Sequence, residues 1–182
     1  PKQQSFRLVP FWLLYIQSDV FRFILFSIFR YRRKVILDNL SKAFPEKNDK
    51  EIKQIAKEFH KNFMDILLEG LKGMTMSDKS VYKRYKLLNP ELADAYFEQG
   101  KSVLTLGGHY ASWEWGVSID KHLKHKSVCV YKAVENKLLN SYMRKKRERW
   151  GMKQISMEKT RTIFKDLEHP KFIILIADQS PS

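Results

Sequence analysis

The sequence predicts an α/β fold: a mainly parallel sheet flanked by helices, with a helical, membrane-associating region at the N-terminus. Three observations predict it. From residue 102 onward, short apolar runs alternate with segments of helical periodicity, as when helices cover both faces of a parallel sheet. Ile52, Ile55, Phe59, Phe63, Ile66 and Leu67 recur at helical spacing, so a long helix precedes the alternating part. Leu8–Phe29 is strongly apolar over a length that suits a bilayer span of about 20 residues. The chain begins at Pro1 without methionine and stops at Ser182 just after a motif, so it reads as truncated at both ends.

Taken in order, the elements follow from local chemistry. Gln17, Ser18, Asp19 and Arg22 interrupt the apolar stretch, and charges at a bilayer centre are costly. Two readings follow: the tail of a membrane helix followed by an interfacial segment, or a helix packed on the protein. Arg30, Arg32, Arg33 and Lys34 come next, a cluster suited to anionic head groups. Residues 1–34 are therefore read as an anchoring or interfacial segment with a basic flank. Residues 35–182 are read as an α/β domain, helical over 35–100 and incomplete at its C-terminus.

Val35–Phe44 predicts a short amphipathic helix closed by Pro45. Asn48 or Asp49 caps the long helix that runs to about Met74. Val81–Asn89 predicts a short strand. Pro90 starts a helix that stops near Gly100. Strands are then expected at 102–107, 127–132, 153–157 and 172–177, with helices at 112–122, 136–149 and 158–168.

The formal net charge of +14 favours an anionic partner: nucleic acid, a phospholipid surface or a phosphorylated substrate. Cys129 is the only cysteine, so no internal disulfide forms, and its apolar neighbours read as a buried strand. No His/Cys cluster with ligand spacing is present, so no metal is expected. His60 reads as structural or surface, and His122, His125 and His169, which lie among lysines or at a turn, read as surface residues.

The chemistry is expected where strands end, because ligands of open α/β sheets bind beyond the carboxyl ends of strands. Gly107-Gly108-His109-Tyr110-Ala111-Ser112-Trp113-Glu114 follows the first such strand. Asp178-Gln179 follows the last, and Tyr131-Lys132 closes the second. Parallel packing brings the three to one rim. His109 suits a general base taking a proton from an attacking hydroxyl, with Glu114 orienting the imidazole and steadying its charged form. No serine nucleophile of the G-x-S-x-G type is present, so direct transfer to the acceptor is simpler than a covalent role for Ser112. Oxyanion donors are the amides of Gly107 and Gly108, or a guanidinium from Arg144, Arg147 or Arg149. Trp113 and Trp115 read mainly as packing.

These residues, in this order, resemble the bacterial lipid A biosynthesis (lauroyl/myristoyl) acyltransferases, within the lysophospholipid acyltransferase-like group. The resemblance rests on Tyr31-Arg32-Arg33, Asn39-Leu40, Phe44-Pro45, the H-x-x-x-x-E unit His109–Glu114, Val130-Tyr131-Lys132 with Asn136, Arg147 with Gly151, and Asp178-Gln179. It implies transfer of a fatty acyl chain from an acyl carrier protein or acyl-CoA thioester to a hydroxyl of a lipid A precursor. It places that reaction at the cytoplasmic face of the bacterial inner membrane. It makes His109 and Glu114 the catalytic pair, Arg147 the best match to an assisting arginine, with Arg144 and Arg149 close by, and Asp178 the aspartate of the D-Q motif. It implies no cofactor beyond the acyl carrier protein thioester as co-substrate, and as partners that carrier protein, an anionic glycolipid and a membrane surface. Lys132 stands where family members often carry arginine in Tyr-Arg-Pro, which keeps the charge but loses the bidentate fork.

Two other functions fit the same residues. One is acylation of a different membrane lipid, a lysophospholipid or an amino-acid lipid. The other is a non-catalytic basic module for membrane or nucleic acid. Nucleic acid is not expected, because few aromatics interleave the basic runs.

Overall fold

A computed structural model describes residues 8–165 and 169–178. The chain divides into two compact units between Thr75 and Met76. From sequence alone, a boundary is expected at residues 34/35.

The first unit is helical. Helix α1 (Phe11–Arg22) runs on as a π-helical stretch, Phe23–Ile28. Helix α2 spans Arg33–Ala43, and α3 spans Asp49–Gly73. The start of α3 follows from its first residues: the Asn48 side chain accepts from the amides of Lys50 and Glu51, while Glu51 accepts from the Asn48 amide. This reciprocal cap satisfies donors that a helix start otherwise leaves open.

α1 lies along α3. Leu14, Ser18 and Phe26 form its buried side, and burying a leucine fully stabilises by about 2 kcal/mol. Polar contacts fix the alignment: Ser18 Oγ donates to Asp65 at 2.5 Å, Tyr15 Oη to Glu69 at 2.7 Å, and Lys72 Nζ to the Val9 carbonyl at 2.7 Å. Burial lowers the pKa of that lysine. The opposite side of α1 presents Trp12, Ile16, Val20, Phe23 and Ile28 outward, with Trp12 66% exposed. The segment Phe11–Ile28 is long and apolar enough to cross a membrane. The structure thus combines features of both sequence readings, with one side packed on the protein and an apolar side left open.

The second unit is α/β. It contains α4 (Asp78–Arg84), α5 (Pro90–Phe97), β1 (Val103–Gly107), a 3₁₀ helix (Trp113–His122), β2 (Lys126–Tyr131), α6 (Lys137–Glu148), β3 (Lys153–Ser156), a second 3₁₀ helix (Met157–Lys165) and β4 (Lys171–Ile176). Each expected strand from residue 102 onward is present. The sheet is parallel throughout, in the order β1-β4-β2-β3. The register aligns Thr105, Ile174, Cys129 and Gln154 in one row across all four strands. The neighbouring row has Ile173 and Val128, which pack with Ile155 and Ile163 in the core on the other face.

Three expectations are corrected. Val81–Asn89 is not a strand. Ser77 caps a helix by accepting from the Ser80 amide, and Val81 is fully buried on α4. β-branched and aromatic residues there are packing side chains rather than strand formers. His125 is not at the surface. It is buried between Phe97 and Phe172, with Nε2 3.0 Å from the Lys101 carbonyl. Its lysine neighbours misled the reading, because alternation sends Lys124 and Lys126 outward and the residue between them inward. Cys129 is half-buried rather than enclosed, and partial desolvation raises its thiol pKa. The expected helix at 112–122 is present as a 3₁₀ helix; the expected helix at 158–168 is described only to Lys165, also as 3₁₀.

Candidate active site

Strand order decides which side chains meet. β1 and β4 are far apart in sequence but adjacent in the sheet, with Gly107 opposite Ile176 and the Ala177 amide donating to the Gly107 carbonyl at 2.9 Å. Extending the register by two residues brings His109 beside Asp178. The Asp178 carboxylate takes two bonds from that one residue: Oδ2 accepts from the His109 amide at 2.8 Å, and Oδ1 lies 2.8 Å from His109 Nδ1. The amide bond first, then the ring bond, lowers the Asp178 pKa below the ordinary carboxylate range. An ionised carboxylate only accepts, so Nδ1 is the donor, which leaves Nε2 as the lone-pair nitrogen whenever the ring is neutral.

Gly108 permits this approach. A Cβ there would sit 3.2 Å from Asp178 Oδ2, tighter than ordinary van der Waals contact. Trp113 meets the edge of the His109 ring at 4.8 Å, so the imidazole is held between a carboxylate and an indole while remaining 36% exposed.

Sequence reasoning assigned the orienting carboxylate to Glu114. In the structure the His109 ring is paired with Asp178, and Glu114 is paired with Arg147. Arg147 Nη2 donates to Glu114 Oε1 at 2.5 Å and Nε to Oε2 at 3.0 Å, a bidentate pair in which both groups are mostly buried. Such forks are strong because they are charge-assisted and planar. Glu114 therefore holds Arg147, and the carboxylate on the His109 ring is that of Asp178.

Of the three candidate arginines, Arg147 lines the cavity described below. Arg144 points to Glu148 at 3.9 Å and is exposed. Arg149 donates to the Met76 carbonyl at 2.6 Å and lies over the Trp150 ring. That neighbourhood is a structural tie: Asp78 accepts from Trp150 Nε1 at 2.8 Å and from Lys121 at 2.6 Å. The lysine bond first, then the indole bond, lowers the Asp78 pKa. Gln179 of the D-Q pair lies outside the described residues.

A cavity of about 890 Å³ opens at this site, within the roughly 300–1,000 Å³ of small-molecule sites. Gly108, His109, Trp113, Lys132 and Arg147 line it at the strand ends. Thr105, Cys129, Gln154 and Ile174, the row across the sheet, line it along the strands, facing Val117, Ile119 and Met152. Polar chemistry at one place and an apolar wall at the other is the arrangement an amphipathic substrate needs. Among the described residues no group of three or more His, Cys, Asp or Glu could hold a metal ion.

Against known proteins, the model of the bacterial lipid A biosynthesis acyltransferases matches residues 5–181. The chain belongs to this family. No curated protein matches it. In this lipid A acyltransferase the resemblance seen in the motifs holds over nearly the whole chain, and its function is acyl transfer in lipid A biosynthesis.

The polar residues of the acyltransferase's cavity that sequence reasoning missed include Tyr85, Lys86 and Gln154. Tyr85 follows α4, where a strand was expected, and desolvation raises its phenol pKa. Gln154 was legible in principle, since alternation in β3 puts it on the same face as Cys129. It is 7% exposed, and neither its Oε1 nor its Nε2 has a protein partner among the described residues. Replacing an unpaired buried polar group with an apolar group of similar shape relieves its desolvation penalty. Gln154→Met is therefore expected to stabilise by about 1 kcal/mol, read as a higher thermal midpoint. A lower midpoint would show that the carboxamide is satisfied.

Proposed function

We propose that the protein transfers a fatty acyl chain from the thioester of an acyl carrier protein, or from acyl-CoA, to a hydroxyl of a lipid A precursor. His109 Nε2 takes the proton from the acceptor hydroxyl as its oxygen attacks the thioester carbonyl. Asp178 holds the Nδ1–H tautomer and steadies the imidazolium. The tetrahedral oxyanion is stabilised by Arg147, which Glu114 keeps in place, and by the Gly108 amide. Collapse expels the thiolate, which takes the proton back from the imidazolium. Lys132 at the cavity rim, with Arg144 and Arg149 on the basic surface, draws the anionic glycolipid and the acidic carrier protein.

The observation that carries this reading is the imidazole paired with Asp178 at the mouth of a cavity whose walls are mainly apolar. The outward apolar side of α1 and the basic turn after it support seating on the cytoplasmic face of the bacterial inner membrane, with the apolar side chains in the acyl region and the charges at head groups. No cofactor is required by these steps.

The test is incubation of the full-length protein with an acyl-carrier thioester and a panel of acceptors: a lipid A precursor, a lysophospholipid and an amino-acid lipid. Mass spectrometry is expected to show one added acyl ester on the lipid A precursor. Acylation confined to another acceptor would replace the proposed substrate, and no acyl product on any acceptor would remove the proposed reaction.

A further inference from the structure

A second cavity, of about 430 Å³, lies within the first unit. Its lining divides by chemistry. Arg30, Arg33, Lys53 and Lys57 supply four cationic groups, and Phe26, Ile36, Leu37 and Ala56 supply apolar surface. No carboxylate lines it, and no side-chain ion pair or hydrogen bond to a described residue occupies any of the four cations. Like charges gathered without a counter-charge repel one another, and an anion relieves that repulsion.

Two further features point the same way. His60 lines the cavity, stacked on Phe26 at 3.9 Å, and its Nε2 is buried without a protein partner among the described residues. The turn that carries the arginines holds left-handed backbone at two non-glycine residues, Arg30 (φ 49°) and Arg32 (φ 48°). Such conformations are costly, and they cluster where a segment is shaped for a ligand. Ser27, the remaining lining residue, adds a hydroxyl.

We infer that this cavity binds a phosphate group. Two guanidinium forks and two ammonium groups match its oxygens, and the apolar portion of the lining suits a phosphate attached to lipid. The site lies at the end of the outward apolar segment Phe23–Ile28, where a head group would stand. The inference does not rest on the acyl-transfer chemistry, since every lining residue belongs to the first unit.

The experiment uses the full chain, the double variant Lys53→Gln/Lys57→Gln and a control, Lys34→Gln/Lys61→Gln, which removes the same charge from the same two-helix region outside the cavity. Binding is measured to phosphatidylcholine vesicles containing phosphatidic acid, and separately to inorganic phosphate. General surface attraction would weaken both variants alike. Loss of charge-assisted bonds in a built site is expected to weaken the cavity variant on the order of tenfold more than the control. That difference seen only with vesicles assigns a lipid phosphate; seen also with inorganic phosphate, it assigns a soluble phosphate. Equal losses in the two variants, or no binding to either probe, overturn the site.

Discussion

His109→Ala is expected to lower kcat for acyl transfer by about 10³-fold, the middle of the range for a positioned general base. The fold should survive, because the ring is partly exposed and touches one carboxylate and one indole. Far-ultraviolet circular dichroism and the thermal midpoint would establish that. In the proposed mechanism the imidazole acts in the chemical step, so the loss should fall on kcat, with KM for either substrate changing little. Single-turnover measurement with a thioester donor separates this from slow product release. A variant that turns over at the parent rate would remove His109 from the mechanism.

Asp178→Asn is expected to lower kcat by at least about 10²-fold, because an asparagine cannot accept from both the His109 amide and the ring Nδ1 while presenting oxygen to each. The amide end of the side chain would favour the opposite imidazole tautomer, with the proton on Nε2, where no base remains. Glu114→Gln is the informative companion. It should weaken the fork to Arg147 and cost about 2 kcal/mol of stability, the scale of a hydrogen bond to a charged group. The two variants therefore separate a carboxylate that orients the ring from one that seats the guanidinium. If Glu114→Gln abolished turnover while Asp178→Asn left it intact, the assignment of the orienting role to Asp178 would fail. The acid side of the profile has a definite sign. The folded-state pKa of Asp178 is lowered, so its contribution is present above the ordinary carboxylate pKa and is lost as pH falls through the lowered value. The pair with His109 thus persists through neutral and mildly acid solution.

Much of this was legible from residue order. Apolar runs bounded by glycine and charge located all four strands to within a residue or two, because strands of a parallel sheet read as near-continuous apolar runs. The glycine-flanked His109 at a strand end was legible for the same reason. What stayed hidden depends on strand order. Nothing local says that β4 inserts between β1 and β2, yet that insertion sets Asp178 against His109 across 69 residues. Glu114 lay five residues away and drew the orienting role by proximity, while its partner Arg147 stood 33 residues on. Val81 and Tyr85 read as strand because β-branched and aromatic side chains were visible, while the Ser77 cap that starts a helix there went unread. His125 was judged by its lysine neighbours rather than by the alternation that separates it from them.

The insertion of β4 has a consequence for how the protein is made. A nascent chain that has released β1, β2 and β3 from the ribosome still lacks the strand joining the first of these to the second, as well as the aspartate that aligns the histidine. Vectorial synthesis therefore completes the His109–Asp178 pair late, and a long-range closure of this kind is a slow folding event. Under the proposed mechanism, a polypeptide held at a bilayer by its apolar helix stays chemically silent toward lipids until that closure occurs.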